Sequence, residues 1–161
     1  LVQLDEPGLT HASDWLSQAD AVQAINRVGE AAQGAFAVHV CFGNNASRPY
    51  TPRDFDRLKP ALEGLTADLL VLEFANREMA GADLVAGLAN PAKIAAGVVD
   101  VKSFHEESAD DVARRIDLIL KAGIPAEKLA LTADCGLSAI PRWLGVRKME
   151  ALAAGAKLAR G

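Results

Sequence analysis

The sequence predicts an α/β fold: the C-terminal five strand–helix units of a (β/α)8 TIM barrel, with the first part of the barrel absent from this chain. Two observations lead there. Five short apolar runs rich in β-branched residues recur along the chain, with helical patterns between them. Near-continuous hydrophobicity suits strands buried on both faces of a parallel sheet, and strand–helix alternation is the pattern of βαβ units. The second observation is that every run ends in ionisable groups: Asp5 and Glu6, His39 and Cys41, Glu73, Asp100 and Lys102, Asp134 and Cys135. An open doubly wound sheet shares the local pattern but concentrates its site at one switch point, whereas a barrel brings all its strand ends to one mouth.

The strand candidates are LVQLD (1–5), AFAVHVCF (35–42), DLLVLEF (68–74), AAGVVDVK (95–102) and LALTADC (129–135). Ser13 and Asp14 are candidate caps for a first helix carrying Trp15, Leu16, Ala19, Val22, Ile25 and Val28 on one side. In TPRDFDRLKPAL, Thr51 is the candidate N-cap and Pro52 the first helical residue, with Phe55, Leu58 and Leu62 as the apolar stripe and Pro60 as a kink. Ser108 with Asp111 three residues on is a capping-box pattern, followed by Val112, Ile116, Ile119 and Leu120. A last helix over about 146–159 carries Met149, Leu152, Ala153 and Leu158. Trp15 and Trp143 read as packing anchors, Arg114–Arg115 as a solvated helical face, and His11 and His105 as loop residues.

The 161 residues are half hydrophobic, a quarter charged and carry a net charge of −4, a balance that suits one globular domain over 1–161. Acidic balance without a Lys/Arg stripe argues against nucleic acid as a partner. No apolar run approaches the ~18 residues of a membrane span, and no signal-peptide pattern opens the chain. Two cysteines make no disulfide framework, so a reducing, cytoplasmic setting is expected. The chain opens in mid-strand and reads as a piece of a longer one. Exposed edges on five strands require cover from the missing N-terminal barrel segment or another subunit.

Imidazole, thiolate and carboxylate together make a zinc donor set. Alternation puts His39 and Cys41 on one face of one strand. Glu73 ends a second strand and Cys135 a third, at the same end of the barrel. A carboxylate after LLVL is costly to bury without a partner, which draws Glu73 into the set. Two other readings of the same residues stand beside this one. His39 could activate Cys41 or Cys135 as a nucleophile, although no third residue orients the pair. His39, Cys41 and Cys135, each taken singly, also suit a plain core position.

The ordered segments VQLDEP, HVCFGN, LVLEFANRE, GVVDVKS and ADCGL resemble the catalytic domain of cobalamin-independent methionine synthase and its relatives, over nearly the whole chain. The resemblance implies Zn2+ held by His39, Cys41, Glu73 and Cys135, with Glu73 as the labile ligand. It implies methyl transfer from an alkyl donor to a zinc-bound small-molecule thiolate such as homocysteine. Asp5 matches the family's aspartate that pairs with the substrate amino group, and Asn76, with Asn44, Asn45 and Arg77, is placed to line the pocket. One segment departs from the pattern. Where methionine synthases read D-x-H-S, this chain reads Asp100-Val101-Lys102-Ser103, and TADCGL replaces their Asn-Pro-Asp-Cys-Gly. Asp100 and Lys102 are therefore the candidate catalytic pair. Lysine here also suits the epoxyalkane:coenzyme M transferase relatives, in which a zinc-bound thiolate opens an epoxide. A non-catalytic barrel remnant with a structural zinc is the reading from another class.

Overall fold

The computed structural model describes residues 1–11 and 17–161. Among them, five strands form one sheet: β1 (Val2–Asp5), β2 (Phe36–Val40), β3 (Leu69–Glu73), β4 (Lys93–Val99) and β5 (Leu129–Ala133). They stand in sequence order, every neighbouring pair parallel. A doubly wound sheet reverses its strand order at a switch point; this one advances in one direction, as part of a (β/α)8 barrel does. β1 and β5 are the two edges. The expected β4 begins two residues earlier than its apolar run and closes at Val99, which leaves Asp100 and Lys102 on the turn beyond it.

Alternation sorts the strands into two faces. Phe36, Val38, Val40, Leu70, Leu72, Ile94, Ala96 and Val98 join the main core under the helices. The opposite face holds Ala37, Val71 and Ala95, a thinner layer that leads up to His39 and Glu73.

Among the described residues, five α-helices cover the first face: α1 (Gln18–Glu30), α2 (Phe55–Gly64), α3 (Ala82–Ala86), α4 (Ala109–Lys121) and α5 (Arg142–Leu158). In α1, Ser17 is the N-cap, its hydroxyl accepting from the N–H of Asp20. The expected caps Ser13 and Asp14, with Trp15 and Leu16, lie outside the described residues. Val22 and Ile25 face the core as expected, but Val28 is half exposed. The cap of α2 is Asp54, not Thr51. A carboxylate at 54 reaches the N–H groups of Asp56 and Arg57, so the helix starts beyond Pro52. The helix runs on through Pro60 and buries Phe55, Leu58 and Leu62. The short α3 follows Gly81, whose φ of +86° and contact with the Phe55 ring exclude a side chain there.

The last two helices hold the main corrections. The capping box of Ser108 and Asp111 opens α4, and Val112, Ile116 and Ile119 are buried. Leu120 points outward, however, and Arg115 takes the inward place. In α5 the buried line is Leu144, Lys148, Ala151 and Gly155; of the expected residues, Met149 and Leu152 are partly buried and pack against the core, whereas Ala153 and Leu158 are exposed. Small residues decide this, because a Cβ on Gly155 would lie 2.5 Å from Val112 Cβ, so α5 sits hard against α4 there. Met149 and Ala153, with Leu137, Ile140 and Val146, line an open apolar groove of about 700 Å3 on the far side. Trp143 is 62% exposed and is no packing anchor within this chain.

Lys148 and Arg115 are buried because Glu107 is buried between them. Glu107 accepts from Lys148 Nζ at 2.6 Å on one oxygen, and from Arg115 Nη1 at 3.1 Å and the Asp100 N–H at 2.9 Å on the other. Arg115 also reaches the Val98 carbonyl at 2.9 Å, and Lys148 the His105 carbonyl at 2.5 Å. Burial works to raise the Glu107 carboxyl, but Lys148 and the Asp100 N–H outweigh it and hold it below the ordinary range. Removing one member of such a cluster leaves the others buried and uncompensated. Glu107→Ala should therefore cost about 3–5 kcal/mol in urea unfolding, whereas the exposed Arg147→Ala should stay within about 0.5 kcal/mol.

Candidate metal centre

The C-terminal ends of β2, β3 and β5 bring the expected donors to one edge of the sheet. His39, next to last in β2, lies opposite Val71 of β3, and its Nδ1 is 3.2 Å from the Val71 carbonyl. A carbonyl only accepts, so Nδ1 carries the proton and Nε2 keeps its lone pair. That Nε2 is buried and has no partner. Cys41 follows β2 and is buried; Cys135 follows β5 and is half-buried. Their sulfurs are 3.7 Å apart, and the donor atoms of His39, Cys41 and Cys135 all lie within 4.8 Å of one another. Two thiolates ~2.3 Å from a tetrahedral zinc would stand about 3.8 Å apart, so the pair already has the right spacing.

The charges agree with that spacing. The hydrogen bond with Cys41 holds the Cys135 thiol down at about 4, with His39 adding to the effect. The same bond, together with burial, drives Cys41 well above the ordinary thiol range. Burial works to lower His39, but the charge of Cys135, with that of Asp5, outweighs it and raises it.

Glu73 stands outside this triad. It closes β3, is fully buried, and pairs through Oε2 with the Lys102 ammonium; its Oε1 is buried with no partner. Lys102 is held by its turn, because Asp100 Oδ1 accepts the Lys102 N–H at 2.7 Å. Asp100 thus shapes the turn. Asp5 pairs in register with His39, is exposed, and accepts from Gln3 at 2.8 Å. Asn76 is committed in part: its Nδ2 donates to Asp134 at 2.7 Å and its carbonyl accepts from Arg53 at 2.8 Å, while its buried Oδ1 has no partner. Asn44 donates to the Gly136 carbonyl at 3.1 Å, beside Cys135. The Arg77 guanidinium lies about 6 Å from the rings of Phe42 and Phe55.

Asp134, noted in the sequence only as an ionisable group at a strand end, has a role that sequence reasoning did not assign. It is fully buried, and its carboxylate accepts four hydrogen bonds of 2.7–2.9 Å, from the N–H groups of Phe74, Ala75 and Asn76 and from the Asn76 side chain. Burial nevertheless pushes its carboxyl up to about 7 against those donors. The segment after Glu73 is thereby tied to the residue before Cys135, across the intervening β4. Gly97 of β4 makes the crossing possible, since a Cβ there would lie 2.3 Å from Asp134 Oδ1 and 2.7 Å from Asp134 Cα. A glycine inside a strand is the one visible sign of such close approach.

The chain belongs to the family described as cobalamin-independent synthase, catalytic domain, whose model matches residues 1–157. It is 32% identical to a 2-hydroxypropyl-CoM lyase of Xanthobacter autotrophicus, over 91% of this chain and 45% of that protein. It is 30% identical to a methionine synthase of Thermococcus kodakarensis, over 99% of this chain and 43% of that protein. A B12-independent methionine synthase from a Shewanella species, solved in complex with selenomethionine, superposes with a TM-score of 0.80 at 26% identity, over 98% of this chain and 48% of that one. The chain thus spans about half the length of the relatives it matches.

The Gly97–Asp134 contact is open to a direct check. Gly97→Ala should lose at least about 3 kcal/mol in thermal or urea unfolding, because backbone as well as carboxylate blocks the added methyl. Gly136→Ala, with nothing within 4 Å of the new methyl, should be close to neutral.

Proposed function

We propose that this chain is part of a zinc-dependent thiol alkyltransferase of the methionine-synthase type. What carries the reading is the donor set: His39, Cys41 and Cys135 within 4.8 Å, together with two buried and unpartnered atoms, His39 Nε2 and Glu73 Oε1. Buried polar atoms without partners are uncommon, and a cation at the triad would answer His39 Nε2, while the family resemblance adds Glu73 as the fourth donor. His39, Cys41, Cys135 and Glu73 would hold the metal. Bound there, zinc would supply the Lewis acidity that keeps an incoming thiol deprotonated and nucleophilic near neutral pH.

The chain's own residues would do the rest. The Val71 carbonyl fixes the His39 tautomer and so keeps Nε2 available. Asp5, exposed beside His39, would take the amino group of an amino-acid thiol such as homocysteine. Asn76 would offer its free Oδ1 to the substrate. Lys102 and Asp100 would act at the mouth, Asp100 by holding the turn that carries Lys102.

The methyl-transfer reading rests on the family and on its methionine-synthase relatives. Similarity to the 2-hydroxypropyl-CoM lyase supports a second reading, in which the thiol opens an epoxide. We also propose that the edges β1 and β5 pair with the remainder of a barrel, from the same or another chain, and that the apolar groove on α5 is covered in that assembly. A cytoplasmic setting fits the free thiols; among the described residues no helix is long and apolar enough to cross a membrane.

Metal analysis tests the reading first. The wild type should carry about one zinc per chain, and Cys135→Ser should weaken zinc binding by at least tenfold. A normally folded wild type that takes up no zinc would overturn it. With the barrel complete, alkylation of homocysteine and coenzyme M by methyl-folate, methyl-cobalamin and epoxypropane then separates the two chemistries. A zinc-loaded, complete barrel inactive in every combination would favour a structural zinc.

A further inference from the structure

We infer that Lys102 is a positioning residue that holds Glu73 by one oxygen and reserves the other for the metal, an inference that rests on the zinc reading above. The pair is sealed from water, the two side chains being 3% and 0% exposed. Lys102 Nζ engages Oε2 alone, while Oε1 is buried and has no partner. A buried pair is best compensated when its remaining lone pairs find further hydrogen bonds; this one leaves Oε1 without a partner, at the end of β3 next to the strand end that carries His39 and Cys41.

Lys102 is also anchored. Its N–H is held by Asp100, the Asp100 N–H by Glu107, and Glu107 by Arg115 and Lys148. The ammonium therefore stays beside Glu73 whatever the other oxygen does. Two effects follow. A positive charge on Oε2 weakens Oε1 as an anionic donor, making Glu73 the most easily exchanged of the four donors. A carboxylate released by the metal is still paired, so release leaves no unpaired buried charge. Lysine in place of the histidine of D-x-H-S thus tunes the metal's fourth donor.

Zinc affinity, measured on the full chain by competition with a chromophoric chelator, tests this in the wild type, Lys102→Met, Glu73→Gln and the double variant, with circular dichroism confirming the fold. Lys102→Met should tighten zinc by about tenfold or more, because Glu73 then has only the metal to neutralise it. The gain should vanish in the Glu73→Gln background. Lys102→Arg, which keeps the charge, should stay close to wild type. Lys102→Gln should tighten zinc like Lys102→Met, and replaces it in the cycle if the methionine variant does not fold. Unchanged or weaker zinc binding in the neutral variants would overturn the inference, as would an equal gain without Glu73. In either case the zinc reading survives. A wild type that takes up no zinc removes both.

Discussion

Taking a carboxylate out of water costs several kcal/mol unless something replaces the lost solvation. Among the described residues, three carboxylates are buried at the C-terminal end of the sheet: Glu73, Glu107 and Asp134. Each is compensated in a different way. Glu73 has the Lys102 ammonium, Glu107 has two cations and a backbone N–H, and Asp134 has four neutral donors. Those compensations organise the loops. Contacts run from α5 through Lys148, Glu107, Asp100 and Lys102 to Glu73, and a second set runs from Glu73's own loop through Asp134 to Cys135. The strand ends that carry the donors are consequently one braced unit.

The two faces of the sheet divide the labour. The helix side is filled with large aliphatic and aromatic side chains, as a stable α/β layer requires. The other face carries alanine, valine and glycine, until His39 and Glu73 interrupt it at its C-terminal rim. Small residues leave room above the donors, and the rigid layer behind holds them in place.

Much of this was legible in the sequence. Strand runs, the capping box of α4 and the donors at strand ends follow from period-two and period-3.6 patterns, which are local. What was illegible is non-local. Arg115 and Lys148 look like solvated helical charges until Glu107, on another segment, is seen between them. The inward face of α5 was legible only in part: Met149 and Leu152 pack against the core, but Lys148 and Gly155 hold buried places and Ala153 lines the open groove. Five-residue α3 is too short to show a period. Nothing in the spacing of Asp134 announces that its partners are backbone amides sixty residues away. The pairing of Lys102 with Glu73 spans two strands and is equally silent in one dimension.

Gly97 carries a consequence for sequence variation. A Cβ there would lie 2.7 Å from Asp134 Cα and 3.0 Å from its N, besides meeting the carboxylate, so giving up the carboxylate alone opens no room. A lineage that widens position 97 must shift the backbone before Cys135, and with it the brace behind that donor. Glycine should therefore persist on β4 whatever side chain stands at 134, because what fixes it is the distance between two backbones.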